Sequence, residues 1–251
     1  MTTLKTNAIE PEGATTNLTV GMTGQNVVVG GSGGIKANTF KDAGGNTLWT
    51  SNGSGVLSSV SGFGGAQVLL NTTTISSGTS EAEFTLSTHT TYDCFVFDFI
   101  NLHPSMGSSY TYLQVAASTG SYGVTTTSTA FQAWNFETGG TPVLGYVTGE
   151  DLAQSTSNQN LGNSLAEGPS LPTANDASTS GEFHLFNPHS TTYVKNWYCR
   201  NINNTEIGGT YGIDAYRAGY YNTTSAITAI KFVFSAGADI DAGIIKMYGI
   251  K

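Results

Sequence analysis

The chain has 251 residues, enough for one sizeable β domain plus an extension. Only 10% of them are charged, against about 25% in an ordinary soluble domain. With a formal charge of −8 and nine scattered Lys and Arg, the composition argues against a phosphate-binding surface, and no run approaches the length of an apolar membrane helix. Nucleic acid and membrane insertion are therefore not expected. Met1 to Val20 lacks the apolar centre of a secretion signal, so synthesis in a cytoplasm is expected.

Residues 1–12 read as a short docking peptide, with Leu4 and Ile9 as isolated apolar anchors before Pro11. Between Gly13 and Ala66 there are 14 glycines and only three charges. Short β-prone pieces, including Asn26 to Val29, Ile35 to Phe40, Thr47 to Thr50 and Val56 to Val60, alternate there with glycine clusters about every ten residues. Each piece offers one or two apolar side chains, such as Phe40, Leu48 and Trp49. One copy buries too little surface to offset its backbone entropy. Identical chains wound about a common axis would multiply the apolar content of each layer, so 13–66 is expected to be a stem shared by identical chains, with a flexible Gly/Ser linker as the alternative.

From residue 67 to 251 the pattern has period two. Ala82, Phe84 and Leu86 face one way and Glu81, Glu83 and Thr85 the other. Similar runs follow at Tyr92 to Asn101, Ser109 to Ala117, Thr129 to Phe136, Pro142 to Thr148, Glu182 to Asn187, Thr191 to Asn201, Ile227 to Ser235 and Gly243 to Ile250. About nine or ten strands with Gly, Asn, Pro and Ser turns predict an all-β fold, an antiparallel sandwich of jelly-roll type. Gly149 to Gly181 breaks the rhythm and is expected to be an exposed excursion, with a short strand around Leu161 to Leu165.

Three passages carry a family resemblance. They are LKTNAI followed by an Asn-Leu-Thr-Val stretch, the glycine-punctuated IKANTFKDAGGNTLWTSNGSGVLSSV, and the closing ITAIKFVFSAGADIDAGIIKMYGIK, which looks like a terminal hairpin. Together they resemble tail-fibre and related virion structural proteins of tailed bacteriophages, especially those infecting marine bacteria and cyanobacteria. The resemblance implies a virion location, an N-terminal part attached to other virion proteins, a homotrimeric stem and an outward β domain that often meets a host surface glycan or protein. A head fibre, capsid decoration protein or tail adaptor without receptor binding is the alternative. The family has no fixed catalytic motif to transfer.

Candidate chemistry is sparse. Asp93 and Asp98 are a poor carboxylate pair, because five positions along a strand send them to opposite faces. Glu150-Asp151 and Asp239/Asp241 read as turn carboxylates. His89, His103, His184 and His189 lack ligand spacing, and Cys94 and Cys199 read as buried free thiols. No catalytic residue, metal or cofactor is expected. Phe95, Phe97 and Phe99, and Ile230, Phe232 and Phe234, read as core. For recognition, aromatic rings near polar groups are the candidates, since flat rings stack on sugar CH faces. Tyr193 and Trp197 lie in one strand-like run. Tyr216, Arg217, Tyr220 and Tyr221 lie in the dense aromatic, turn-like stretch Tyr211 to Asn222.

Overall fold

The computed structural model describes residues 39–42, 44–51, 57–58, 67–162, 170–205 and 211–251. The expected attachment peptide with Leu4 and Ile9, and most of the glycine-rich stem, lie outside the described residues. The chain divides into two units, Met1–Phe63 and Gly64–Lys251. In the first, β1 (Thr39–Lys41), β2 (Thr47–Ser51) and β3 (Leu57–Ser58) form an antiparallel sheet. Phe40 lies opposite Trp49 with ring centroids 3.9 Å apart, and the Asp42 carboxylate accepts the Asn46 backbone N–H at 2.8 Å to close the turn. No described residue from 39 to 50 is fully buried.

The second unit is a β-sandwich of antiparallel sheets. Its strands are β4 (Gln67–Ile75), β5 (Ala82–Thr85), β6 (Cys94–Pro104), β7 (Thr111–Ser118), β8 (Ser121–Tyr122), β9 (Thr126–Phe136), β10 (Val143–Tyr146), β11 (Gln159–Asn160), β12 (Thr179–Phe186), β13 (Lys195–Thr205), β14 (Tyr211–Tyr221), β15 (Ala229–Phe234) and β16 (Ile240–Ile250). The larger sheet has the order β10-β9-β14-β13-β12-β6-β16-β4, and the smaller β11-β7-β15-β5 with β8 beside β7. The sole described helix is a 3-10 turn, Ser235–Gly237.

The inward phenylalanines join the sheets. Phe97 and Phe99 of β6 and Phe183 of β12 meet Phe84 of β5 and Phe232 of β15, with Phe99 and Phe232 centroids 4.8 Å apart in an edge-to-face pair. All five are buried, as alternation required. Gly243 holds φ +128 where β16 passes the bulge in β6; a Cβ there would meet the Asn101 carbonyl at 2.8 Å, so only glycine fits.

The larger sheet is wider than its cover, and residues 147–162 and 170–178 fill the difference. Val147, Glu150, Gln159, Asn160, Leu161, Ser170, Leu171 and Ala177 are all buried against the inner side of β9, β14 and β13. An irregular segment brings backbone groups that need partners. The inward side chains beneath it are accordingly polar. Asn201 donates to the Leu161 carbonyl at 3.1 Å, Thr205 to the Ser170 carbonyl at 2.7 Å, and Arg217 to the Gly162 carbonyl at 2.7 Å. Arg217 also donates to the Phe131 and Tyr216 carbonyls, both at 3.0 Å. Burial pulls its guanidinium below the usual range, and the charge of Glu150 opposes that shift.

Four expectations are corrected here. In the described parts of 149–181, Glu150, Gln159 to Gly162, Ser170, Leu171, Ala177 and Thr179 are buried, so they form a cover over the polar inner face and not an exposed excursion. Tyr211 to Tyr221 is not a turn but a central strand. Gln67–Ile75 is a strand that the period-two reading left out. The closing passage is not a hairpin: β15 and β16 lie in different sheets, joined by the 3-10 turn at the corner.

Cys94 and Cys199 are buried and free. Burial pushes the Cys94 thiol up to about 11 and the Cys199 thiol higher still. Since the thiolate is the nucleophile, both thiols should resist a thiol-labelling reagent at pH 8 in the native protein and both should label in denaturant. Arg217→Met keeps the aliphatic stem but strips donors from three carbonyls, at about 1–3 kcal/mol for each group left unpaired. Denaturant unfolding should show that loss, and limited proteolysis within 147–178 should accelerate.

Candidate functional site

Alternation along the eight strands gives the larger sheet a second face, turned away from the core. Register places Tyr146, Phe131, Tyr216, Arg200, Glu182, Asp98, Lys246 and Thr72 side by side in one row across it. The next row holds Leu144, Ala133, Asp214, Ile202 and Ser180. Among the described residues twelve large apolar side chains are exposed. Eight of them, Leu69, Ile100, Phe131, Leu144, Tyr146, Phe186, Tyr198 and Ile202, belong to this face, with Leu144 at 73%. So many on one face is a patch rather than the usual scatter.

The row is internally stacked. Phe131 and Tyr216 lie parallel, 4.7 Å between centroids at 6°, and the Arg200 guanidinium lies 5.0 Å from the Tyr216 centroid. Arg200 donates to both oxygens of Asp214, at 3.0 and 2.8 Å, and the Tyr216 hydroxyl donates to the same carboxylate at 3.2 Å. These donors hold the Asp214 carboxyl below the usual carboxylate range, and the Arg200 guanidinium is raised by the same pair. His184 stacks on Tyr198 at 4.4 Å, with Nε2 3.2 Å from Glu182. At the edge, the Tyr146 hydroxyl donates to Asp151 at 2.7 Å.

Beside this ladder runs an apolar groove of about 510 Å³ walled by Trp134, Pro142, Val143, Leu144, Ile202 and Ile213, with Asp214 at its margin. A shallower depression joins it at Ile202, lined by Arg200, Glu182 and Asp98. The two carboxylates there face each other across β12 and β6 but are flanked by Arg200 and Lys246, a +, −, −, + order. In these two rows two cations stand against three carboxylates, in a chain whose formal charge is −8.

The recognition candidates separate. Trp197, Arg217 and Tyr221 point inward and are buried, which removes them from a solvent-facing set, because period two turns them toward the core and the covering segment. Tyr216 is the member that lies in the exposed row. Tyr193 is 69% exposed just before β13, and Tyr220 is half-buried at the far end of β14, where its hydroxyl accepts from Gln154 at 3.3 Å. The surface guanidinium is Arg200, which period two places with Tyr198 on the face opposite Trp197, whereas the recognition set took Arg217; once 211–221 is a strand, Tyr216 and Arg217 must face opposite ways.

A second, polar cleft of about 600 Å³ is lined by Asn101, His103, Asn175, Asp176, Asn204 and Asp241. His103 spans it, with Nδ1 2.7 Å from Asp241 and Nε2 3.1 Å from the Ala174 carbonyl. Asp241 is thus a strand residue tied to a histidine, not a turn carboxylate. Among the described residues no Phe, Tyr or Trp ring lines this cleft to stack on a sugar. Among the described residues no three His, Cys, Asp or Glu side chains group to hold a metal ion. No protein-family model, curated protein or solved structure matches the chain.

The Asp214 pair has a pH signature. A carboxyl held low in the folded state adds stability above its unfolded value, near 4, and that increment is lost as pH falls through the lower folded value. Urea midpoints from pH 7 to 2 should show Asp214→Asn below wild type at neutral pH, with the gap closing below about pH 4.

Proposed function

We propose that this chain is a non-enzymatic structural protein of a tailed-bacteriophage virion, working by contact. In this reading 1–12 anchors it to other virion proteins, 13–66 trimerises as a stem, and 67–251 is a jelly-roll-like head. The observation that carries the contact role is the outer sheet face: broad, aromatic and apolar, with Arg200 ion-paired to Asp214. Breadth and apolar content are what a protein-packing surface offers. Tyr216 is sandwiched between Phe131 and Arg200, which leaves it no free ring face and suits packing against protein better than stacking on sugars. That none of the described residues from 39 to 50 is fully buried supports a stem that completes its core with other copies.

Packing on virion neighbours, as in a head fibre, decoration protein or adaptor, is the role this face favours. A receptor-binding tail fibre is the second reading, favoured by Tyr193 standing 69% exposed at a strand end.

Sedimentation of the full chain should give a mass built on three 26.2 kDa protomers; a lone protomer at every concentration counts against the stem. Leu144→Asp with Ile202→Asp should keep that trimer and its far-UV spectrum yet fail to enter particles in a complementation assay. Wild-type incorporation with lost host adsorption would instead establish the receptor-binding reading, and wild-type incorporation with normal adsorption would leave the face without a role.

A further inference from the structure

The sandwich ends in unequal edges. On the smaller sheet, β5 is four residues long and carries Glu83, while the opposite edge of β7 is taken by the two-residue strands β11 and β8. On the larger sheet, β10 is four residues long, follows Pro142 and contains Gly145. These are devices that keep an edge from recruiting another strand. The remaining edge, β4, runs for nine residues, Gln67–Ile75, with no charge and no proline. It has one strand neighbour, β16, among the described residues. Its single blunting device is a bulge at Leu70, which leaves Asn71–Ile75 as a regular run.

We propose that β4 pairs with β4 of a second copy, antiparallel about a twofold axis at Thr73, joining two large sheets into one. The strand itself selects this occupant. The opposite edge, β10, is too short and interrupted to receive β4 head to tail, so the long pairing available is with itself. Centring on Thr73 sets Thr72 opposite Thr74 of the second copy, twice, on the outer face, and threonine pairs stabilise antiparallel neighbours. In a chain of charge −8, an uncharged strand is where two copies approach without like charges facing. This contact is separate from a trimerising stem; combined with one, it doubles the assembly.

The test is the mass of the full chain in solution. Wild type should sediment as an even multiple of the protomer, and Thr72→Lys with Thr74→Lys should halve that mass, because lysines then oppose lysines at both crossings. Thr72→Glu with Thr74→Lys sets a carboxylate opposite an ammonium at the same crossings and should restore the wild-type mass. Both substituted positions are exposed, and unchanged circular dichroism will show that the fold survives. A wild-type mass that the lysine pair leaves unchanged, or that the Glu/Lys pair fails to restore, overturns the pairing. A mass of three protomers in every variant overturns it while leaving the trimeric stem intact.

Discussion

The controlling constraint is that an eight-stranded sheet is covered by a five-stranded one plus a length of irregular chain. Strands on strands bury apolar side chains and keep their backbone bonds in the ladders. A segment without a ladder must find partners for its own N–H and C=O groups, and those left unpaired cost about 1–3 kcal/mol each, a serious fraction of a domain stability of about 5–15 kcal/mol. The inner face of β9, β14 and β13 therefore carries Arg217, Gln132, Asn201, Asn203 and Thr205 where β6 and β12 carry phenylalanines. The buried arginine belongs to the construction of the cover.

That arrangement settles which surfaces remain for work. Over β9, β14 and β13 the inner face is covered by the chain's own residues 147–162 and 170–178. The outer face of the large sheet keeps its rings and aliphatic groups in water, with Arg200 paired to Asp214. The contact reading rests on this division: the wide sheet supplies the breadth, and the cover leaves the outer face as the one in water.

Legibility in the sequence followed the kind of partner each strand has. The β5, β6 and β15 strands were readable because both their neighbours and their cover are apolar, so Phe84, Phe97 and Phe232 alternate cleanly with polar residues. The β14 strand was not, because its inward positions include Arg217 and Gly219 beside tyrosines on both faces, which blurs the two-residue rhythm. Aromatic density in Tyr211 to Asn222 was visible; its division between core and surface was not. Glu182 and Asp98 share a depression only because β12 lies beside β6, which no spacing along the chain reveals.

By itself the sequence determined the all-β class, the phenylalanine core and the burial of both cysteines, since each follows from local alternation or from the affinity of a side chain for water. Tertiary structure alone decided that the 149–181 segment is a cover, that Arg200 and not Arg217 meets solvent, and that one edge strand is left long and uncharged. Those outcomes depend on which strands become neighbours and in what register. Neighbour choice and register are set by the packing of the whole sandwich, and a slip of one residue would exchange the two faces.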